Sequence, residues 1–301
     1  MTDILFASCD GLPALDEDSA PLRDALTERG VVSRVAAWDD PSVDWSAARV
    51  VMARSTWDYA ERREAFVAWA ERVEATGVPL WPDAQTIAWN TEKSYLRHLA
   101  AGGLRTVPTV WVDPQDDPAA VPDRIRDRGW DDAIVKPQIG VGAIGLRRFT
   151  GLAGDAAQAT GMVEHTRELL GAGGAMVQPY LPGVAEHGEL SVFFAAGRLT
   201  HAIRKRAAAG DFRVQPEHGG THELVRPERD ELDTATWAVA AVAARFGEPP
   251  LIARADLVAD LEGRPALIEL ELIEPRLFLR GHPEATDAIA DAVLERLAVL
   301  R

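Results

Sequence analysis

Two carboxylates stand two residues apart in the segment ALIELELIEP, which covers residues 266–275. Glu269 and Glu271 alternate with aliphatic residues, and this period of two predicts a β-strand. The glutamates would then line one face of the strand and the leucines the other. A half-exposed antiparallel strand with its acids in water would show the same pattern. The segment therefore predicts either a solvated face or a set of ligands.

A second alternating run, PPLIARADLV, precedes this strand, and the turn signal DLEGRP separates the two. If the hairpin is centred within the EG pair of that turn, antiparallel pairing places Asp256 opposite Glu269. The same register places Arg254 opposite Glu271. Two carboxylates directly across a hairpin repel each other, whereas a divalent cation such as Mg²⁺ removes the repulsion and selects hard oxygen ligands. A magnesium site and a solvated face are equally compatible with this hairpin.

A lysine and a glycine cluster lie together in DAIVKPQIGVGAIGLRRF, which carries Lys136 and then Gly140, Gly142 and Gly145 between two predicted strands. No helical pattern follows the glycines, which argues against a dinucleotide-binding turn, and no G-K-[ST] forms a Walker loop. A glycine-rich β-hairpin can instead fold over phosphates and offer them backbone N–H groups. The segment predicts a phosphate site beside Lys136, with an ordinary flexible turn as the alternative.

Basic residues gather in HAIRKRAAAGDFRVQPEHGG, which includes Lys205 and Arg213. The stretch is too rich in glycine for a core, and functional loops held by a scaffold commonly look like this. A solvated positive edge is the alternative. His218 and His222 are four residues apart, a zinc spacing on a helix, but the glycines between them argue against a helix.

The composition restricts the classes of partner and compartment. Forty-seven acidic residues against 32 Lys and Arg give a net charge of −15, which disfavours nucleic acid and anionic membranes as partners. Cys9 is the single cysteine, so an intrachain disulfide and a thiolate metal cluster are excluded. The N-terminus lacks a signal-peptide pattern, and no apolar stretch reaches about 18 residues. These features predict a soluble cytoplasmic protein and leave a homo-oligomer open.

The apolar patterns predict two kinds of sheet. In the first third of the chain, predicted strands and helices take turns, which indicates βαβ units around a parallel sheet. Beyond about residue 105, nine predicted strands are joined largely by short turns, which indicates antiparallel sheets in an α+β arrangement. One helix is predicted at NTEKSYLRHLAAGG, and others lie near residues 118–128, 155–171, 228–246 and 284–299.

Taken in order, these motifs resemble those of the ATP-grasp superfamily, in the branch that holds bacterial glutathione synthetase and the ligase that adds glutamate to ribosomal protein S6. The resemblance covers residues 85–275 by ordered motifs and the N-terminal region by layout only. It implies an N-terminal parallel-sheet α/β domain on the substrate side at 1–88. Two α+β lobes that clamp Mg²⁺-ATP would follow, a central one with the glycine-rich loop at 89–178 and a C-terminal one with the metal ligands at 179–301.

The resemblance also implies the residues that bind ATP. TEKSYLRHL supplies a phosphate lysine, IVKPQIGVGAIGL a second one with its loop, and MVQPYLPG the hinge around adenine. EHGELSVFF supplies the ribose-binding acid, with Glu186 as a possible substitute for Glu189. The implied ATP-binding residues are Lys93, Lys136, Gly140, Gly142, Gly145, Gln178, Pro179, Tyr180, Leu181, Glu189, Arg213 and Gln215.

Metal and catalytic roles follow from the same resemblance. The implied metal ligands are Asp256, Glu269 and Glu271, and the implied catalytic residues are Lys205, Arg213 and Arg276. In two positions this chain departs from the family pattern. Glu271 replaces the usual Asn and adds a negative charge, which would either tighten Mg²⁺ binding or pair with Arg254 or Arg276. Pro179 removes one N–H from the adenine hinge.

Enzymes of this superfamily phosphorylate a substrate carboxylate with ATP, after which a nitrogen nucleophile displaces the phosphate. The N-terminal domain should bind the acceptor, an amino-acid-like small molecule, at the carboxyl ends of its strands. The substrate candidates are Ser8, Asp10, Arg54, Trp57 and Tyr59. We expect Arg54 to hold a carboxylate and either Asp10 or Asp58 to hold an amino group. Packing is an equal alternative for Trp57 and Tyr59.

Three segments, FASCDG, ARSTWDY and ELELIEPRLFL, are similar to those of a subgroup of ATP-dependent cyclases. Those enzymes close O-ureido-D-serine into the antibiotic D-cycloserine, so carboxylate activation and nitrogen attack occur within one molecule. An intermolecular ligase that joins an amino acid or peptide to an amine is the alternative. A nucleotide-binding module without catalysis is a third possibility, which the combined metal acids and lysines disfavour.

Overall fold

The first ninety residues form an open α/β layer. A computed structural model describes residues 2–300 of the chain. Four parallel strands pair in the order β2-β1-β3-β4, as the alternating pattern predicts. These strands are β1 (Thr2–Ser8), β2 (Ser33–Ala37), β3 (Ala48–Ala53) and β4 (Leu80–Trp81). The helices of this region are α1 (Ala20–Glu28), α2 (Arg63–Ala75) and α3 (Ala84–Asn90).

Two antiparallel sheets make up the rest of the molecule, which confirms the predicted α+β pattern. The smaller sheet has the order β5-β8-β6-β7 and the larger one β11-β10-β9-β12-β13. The strands are β5 (Val110–Val112), β6 (Ala133–Pro137), β7 (Arg147–Phe149), β8 (Ala175–Pro179), β9 (Glu189–Ala195), β10 (Arg198–Arg206), β11 (Thr221–Leu224), β12 (Ile252–Ala259) and β13 (Pro265–Glu271). The helices are α4 (Tyr95–Ala101), α5 (Val121–Arg126), α6 (Ala156–Leu170), α7 (Gly183–His187), α8 (Arg229–Phe246) and α9 (Pro283–Ala298).

The β12–β13 hairpin has the predicted register in the half that is farther from its turn. Asp256 pairs with Glu269 and Arg254 with Glu271. Next to Asp256 the ladder shifts by one residue, so that Leu257 pairs with Leu267. A bulge of this kind places an extra residue on one strand and increases the local twist. The shift lies on the turn side of the acidic pairs and leaves their register unchanged.

The single helix predicted at NTEKSYLRHLAAGG is wrong in its first turn. The structure has α3 and α4 instead, separated by residues 91–94. Asp83 caps the first helix by accepting a hydrogen bond from the backbone N–H of Thr86. Between the helices, the backbone N–H of Lys93 donates to the carbonyl of Gln138 at 2.8 Å. The chain therefore leaves the helical path and holds Lys93 against the segment that follows β6.

Residues from both ends of the chain share one hydrophobic core. Ile4 and Phe6 of β1 pack in the same buried cluster as Phe193 of β9 and Val293 of α9, together with Leu277 from the segment before α9. Helix α9 contacts α1. The predicted domain boundaries at 88 and 178 fall within α3 and β8, and they stay predictions. None of the helices between residues 2 and 300 has the length and apolar character needed to cross a bilayer.

Candidate active site

Three carboxylates converge where β12 and β13 run side by side. Oxygen atoms of Asp256, Glu269 and Glu271 lie within 4.8 Å of one another. Asp256 is buried, whereas Glu269 and Glu271 are half-buried. The opposite pairing across the hairpin and the common face of alternate residues bring them together. Carboxylate oxygens at this spacing fit Mg²⁺, which prefers hard oxygen ligands. Their role as metal ligands stays a prediction.

The free edge of β13 is bound by side chains of α3 and α4. The amide of Asn90 donates to the carbonyl of Leu270 at 2.8 Å and accepts from the N–H of Leu272 at 2.9 Å. The hydroxyl of Tyr95 accepts from the N–H of Leu270 at 2.9 Å. These bonds replace the missing neighbour strand and satisfy buried backbone groups. The strand that carries Glu269 is thereby held rigidly.

Basic side chains offset the converging acids. Arg254 bridges the acids, with its Nη2 2.8 Å from Oδ2 of Asp256 and also in contact with Glu271. Burial acts to raise the pKa of Asp256, but the charges of Arg254 and Lys205 outweigh it and lower the pKa to about 2. Burial raises the pKa of Glu271 to about 8 despite Arg254. Of the two arginines predicted to pair with Glu271, the structure places Arg254 in contact with it.

The two predicted phosphate lysines lie on the same side of the acids. Nζ of Lys93 is 3.0 Å from Oε1 of Glu269 and donates to the carbonyl of Gly140 at 2.6 Å. Lys136 is 8% exposed, and desolvation lowers its pKa to about 8 against the opposing charge of Glu269. The structure thus brings Lys93, Lys136 and the first glycine of the loop close to the acidic cluster. Gly142 and Gly145 follow with positive φ angles of 62° and 73°.

A cleft of about 610 Å³, open to solvent, begins beside Lys136. Its predicted ATP-binding members are Lys136, Gln178, Pro179, Tyr180, Leu181, Glu189, Arg213 and Gln215. Its remaining members are largely apolar: Val107, Ile134, Leu146, Val184, Ile268, Phe212 and Val214. A cleft of this composition fits a flat, largely apolar ring system that carries polar groups at its edge. Glu186 is exposed beside His187, so Glu189 is the acid that faces the cleft.

The predicted catalytic cations occupy different depths. Lys205 is buried and contacts Glu189, and its Nζ lies 3.4 Å from Oδ1 of Asp256. Arg213 lies at the cleft wall, where its Nη2 is 2.8 Å from Oδ2 of Asp211. Lys205 therefore lies between the cleft beside Lys136 and the acidic cluster, and Arg213 stands nearer the solvent.

Arg276 joins the two sides of the molecule. Its Nη2 lies 2.6 Å from Oε1 of Glu217, in the loop before β11. Its Nε lies 3.5 Å from Oδ2 of Asp18, in the loop after β1, and its guanidinium carbon stands 5.5 Å from the ring centre of Trp57. The structure therefore places Arg276 at the rim between the N-terminal region and the basic loop.

Arg54 is the predicted substrate residue with an open bonding position. It is 1% exposed, donates from Nη2 to Oγ of Ser19 at 3.0 Å, and donates to the carbonyl of Pro275 at 2.8 Å. Its Nη1 is sealed from solvent and has no hydrogen-bond partner between residues 2 and 300. Burial lowers the pKa of Arg54. Trp57 donates from Nε1 to the carbonyl of Glu274 at 3.3 Å.

The other substrate candidates are placed less favourably. Ser8 is buried and donates its hydroxyl to the carbonyl of Leu12 at 2.7 Å, and Tyr59 stacks on Phe66 in the N-terminal core. This packing favours a structural role for Ser8 and Tyr59 over the predicted substrate contact. Asp10 is exposed in the turn after β1.

Glu274 is a buried acid beside Arg54 that the sequence motifs do not predict. Burial raises the pKa of this carboxyl to about 7, even though Arg54 and Arg254 oppose the shift. A local signal exists, because Glu274 follows two apolar residues and stands just before Pro275, but on its own that pattern also fits a turn. Asp58, the alternative amino-group partner, contacts Arg62 and accepts from Trp38 at 2.9 Å, so its carboxylate is already engaged.

Comparison with known proteins gives the family. Residues 4–82 match the family model described as D-cycloserine synthetase DcsG, N-terminal domain. The cycloserine biosynthesis protein DcsG of Streptomyces lavendulae is 34% identical over 289 residues, which is 94% of this chain and 95% of that protein. The chain belongs to the D-cycloserine synthetase family.

Solved structures agree with this family and with its fold. The crystal structure of D-cycloserine synthetase DcsG superposes with a TM-score of 0.88 and 30% identity, covering 98% of this chain and 99% of that one. The ATP-grasp ligase PsnB, complexed with minimal precursor, Mg and ADP, gives a TM-score of 0.63 at 18% identity and covers 98% of both chains. The family and the ATP-grasp fold identify the protein as an ATP-dependent ligase.

Proposed function

We propose that the protein converts O-ureido-D-serine to D-cycloserine, using Mg²⁺-ATP and water and releasing ADP, phosphate and the carbamoyl group as carbon dioxide and ammonia. Membership of the D-cycloserine synthetase family across nearly the whole chain supports the overall reaction. The single observation that carries the chemistry is the meeting of Asp256, Glu269 and Glu271 with Lys93. Acidic metal ligands beside phosphate lysines are what phosphoryl transfer requires, because positioning and charge stabilisation supply most of its catalysis.

ATP is proposed to occupy the cleft beside Lys136. Its base would lie between the apolar residues and the hinge, where Pro179 offers no N–H and neighbouring backbone groups take that part. Glu189 would accept from the ribose hydroxyls at the cleft wall. The phosphates would then point toward Lys136 and Lys93, whose charges match them.

The carboxylates of Asp256, Glu269 and Glu271 would hold Mg²⁺, which offsets negative charge on the transferring phosphoryl group when bound. Lys93 is placed to orient the phosphate tail, because its Nζ already lies at both Glu269 and the glycine loop. Lys205, beside Asp256, and Arg213, at the cleft wall, would add further positive charge.

The reaction activates a carboxylate as an acyl phosphate. The substrate carboxylate forms a bond to the terminal phosphorus and ADP leaves. The nitrogen bonded to the side-chain oxygen then attacks the acyl carbon, loses a proton and displaces phosphate. Water cleaves the bond between this nitrogen and the carbamoyl carbon, before or after ring closure, and the carbamoyl group leaves as carbon dioxide and ammonia. Closing the glycine loop over the phosphates would keep water from hydrolysing the acyl phosphate. In this step the chain supplies orientation and the exclusion of water.

The substrate is proposed to enter from the N-terminal side. Arg54 would bind one oxygen of the substrate carboxylate through Nη1, since this buried donor lacks a partner within the described chain. Trp57 would pack against the substrate, and Arg276 would close the rim above it. A ligase that joins two separate substrates would use the same activation, so the nucleophile distinguishes the two reactions.

One assay tests the proposal. Purified protein receives O-ureido-D-serine and Mg²⁺-ATP, and ADP, phosphate and D-cycloserine are measured by coupled assay and mass spectrometry. We expect ADP and D-cycloserine to form with this single substrate. ADP formation that begins only when a second amino acid is added would instead establish the joining ligase.

A further inference from the structure

Glu274 carries a largely buried carboxyl group that forms no ion pair between residues 2 and 300. The residue is 7% exposed, and its side chain takes part in no hydrogen bond or ion pair with the residues from 2 to 300. The neighbouring acids differ, because Asp256, Glu269 and Glu271 each contact a lysine or arginine. An unpaired buried carboxylate costs free energy unless a cation reaches it. Glu274 is therefore suited to bind a cationic group of a ligand.

The backbone around Glu274 is fixed, so its side chain has a defined position. Trp57 donates to the Glu274 carbonyl at 3.3 Å, and Arg54 donates to the Pro275 carbonyl at 2.8 Å. The charges of Arg54, Arg254, Glu269 and Lys93 all act on the Glu274 carboxyl. Glu274 thus lies in the loop after β13, with its backbone held against the segment that carries Arg54 and Trp57.

The cations already present leave Glu274 under-compensated. Burial raises the pKa of its carboxyl to about 7, although Arg54 and Arg254 act to lower it. An ammonium group arriving beside the carboxylate would supply the missing charge and form a charge-assisted hydrogen bond.

Arg54 complements Glu274. Its buried Nη1 lacks a partner, and within the described chain no acid lies at ion-pair distance from its guanidinium. One open cationic donor and one open anionic acceptor stand on adjoining segments without pairing with each other. An α-amino acid presents the matching pair, since its ammonium and carboxylate groups share one carbon atom.

We infer that Glu274 binds the α-ammonium group of an amino-acid substrate, next to the carboxylate that Arg54 binds. This inference rests on the proposed function and assigns the ammonium to a residue other than Asp10 or Asp58. Asp10 is exposed in its turn, and Asp58 is engaged by Arg62 and Trp38. Recognition of the ammonium makes the free α-amino group a requirement for tight binding.

The test compares two substrates in Glu274→Gln and wild-type protein. One is O-ureido-D-serine, and the other is the same molecule without its α-amino group. We expect Glu274→Gln to raise KM for O-ureido-D-serine by about 10- to 100-fold, the usual loss for a hydrogen bond to a charged group. KM for the deaminated analogue and for ATP should stay within a factor of about two. Asp287→Asn, which alters an exposed ion pair with Arg29, is the matched control.

Equal losses on both substrates would overturn the inference, because they indicate a structural role for Glu274. Unchanged KM for O-ureido-D-serine would overturn it as well, and a selective loss in Asp10→Asn would move the ammonium to Asp10. If wild-type protein releases no ADP with O-ureido-D-serine, the proposed function is wrong. Calorimetric titration of wild-type and Glu274→Gln proteins with D-serine and with its deaminated analogue would then still decide whether Glu274 recognises the amino group.

Discussion

At the scale of single residues, the site consists of buried charges that are matched in position. The pairing of Asp256 with Glu269 follows from the hairpin sequence, because a register fixes which side chains face each other. Arg254 and Lys205 then offset the repulsion between these closely placed acids. Glu274 and the open donor of Arg54 could not be predicted in the same way, since their surroundings come from loops distant in sequence.

Glu269→Gln tests the metal role at this scale. We expect turnover to fall by about 100-fold or more, because the amide removes a charged ligand while it keeps the shape of the side chain. The melting temperature should change little. Steady-state kinetics at increasing Mg²⁺ concentration measures the effect, with Glu223→Gln on the exposed edge strand as control. Wild-type turnover in Glu269→Gln would remove this residue from the site.

Lys136 predicts a pH dependence of nucleotide binding. Desolvation lowers its pKa to about 8, so the amine is charged below this pH and neutral above it. Because the phosphates favour the charged amine, ADP affinity should be constant below pH 8 and fall by up to about tenfold per pH unit above it. Calorimetry at fixed Mg²⁺ between pH 7 and about 9.5 measures this. Lys136→Arg should remove the dependence, and an unchanged slope in that variant would contradict the assignment.

At the scale of elements, the turns and edges position the chemistry. The strands and most helices follow from their apolar periods, whereas the break between α3 and α4 does not. The helical path is interrupted there because the backbone N–H of Lys93 donates to the carbonyl of Gln138. The two residues are 45 positions apart in sequence, so no local pattern encodes this contact. A second position that depends on a contact distant in sequence is Gly188, just before β9, where φ is 78°. A Cβ at this position would overlap the backbone oxygen of Lys205.

Gly188→Ala should therefore weaken both the fold and the site. We expect the free energy of unfolding to fall by about 2 kcal/mol or more, from the left-handed backbone and from the displaced β10 strand. Gly210→Ala is the matched control, because its φ is 84° and no atom lies within 4 Å of its added Cβ. It should cost only about 1 kcal/mol. Urea unfolding followed by tryptophan fluorescence measures both, and equal losses would contradict the role of the Lys205 contact.

At the scale of the whole molecule, the last helix packs in the same core as the N-terminal parallel sheet. Helix α9 buries Ala285, Ile289, Ala290, Ala292, Val293 and Leu297. Ile4 and Phe6 of β1 share this cluster with residues of β9 and α9. The sequence predicts the parallel sheet and the antiparallel sheets separately. It does not predict that they share a core, because an amphipathic helix does not reveal which sheet it covers.

A fragment of residues 1–88 should accordingly fail to fold by itself. Without α9 and β9, the apolar face of its sheet would be exposed to water, which costs about 25 cal/mol for each Å². We expect circular dichroism to show no cooperative thermal transition for this fragment, whereas the full chain melts cooperatively. A sharp transition in the isolated fragment would show that the N-terminal region is an autonomous domain.

The central claim is that Asp256, Glu269 and Glu271 hold the divalent cation that meets the phosphates of ATP. Its most direct test is a crystal structure with a non-hydrolysable ATP analogue and Mn²⁺, in which anomalous scattering locates the metal. The account predicts an anomalous peak coordinated by these carboxylates and a phosphate oxygen, with Lys93 and Lys136 at the phosphate tail. A metal bound elsewhere, or a nucleotide outside the cleft beside Lys136, would contradict it.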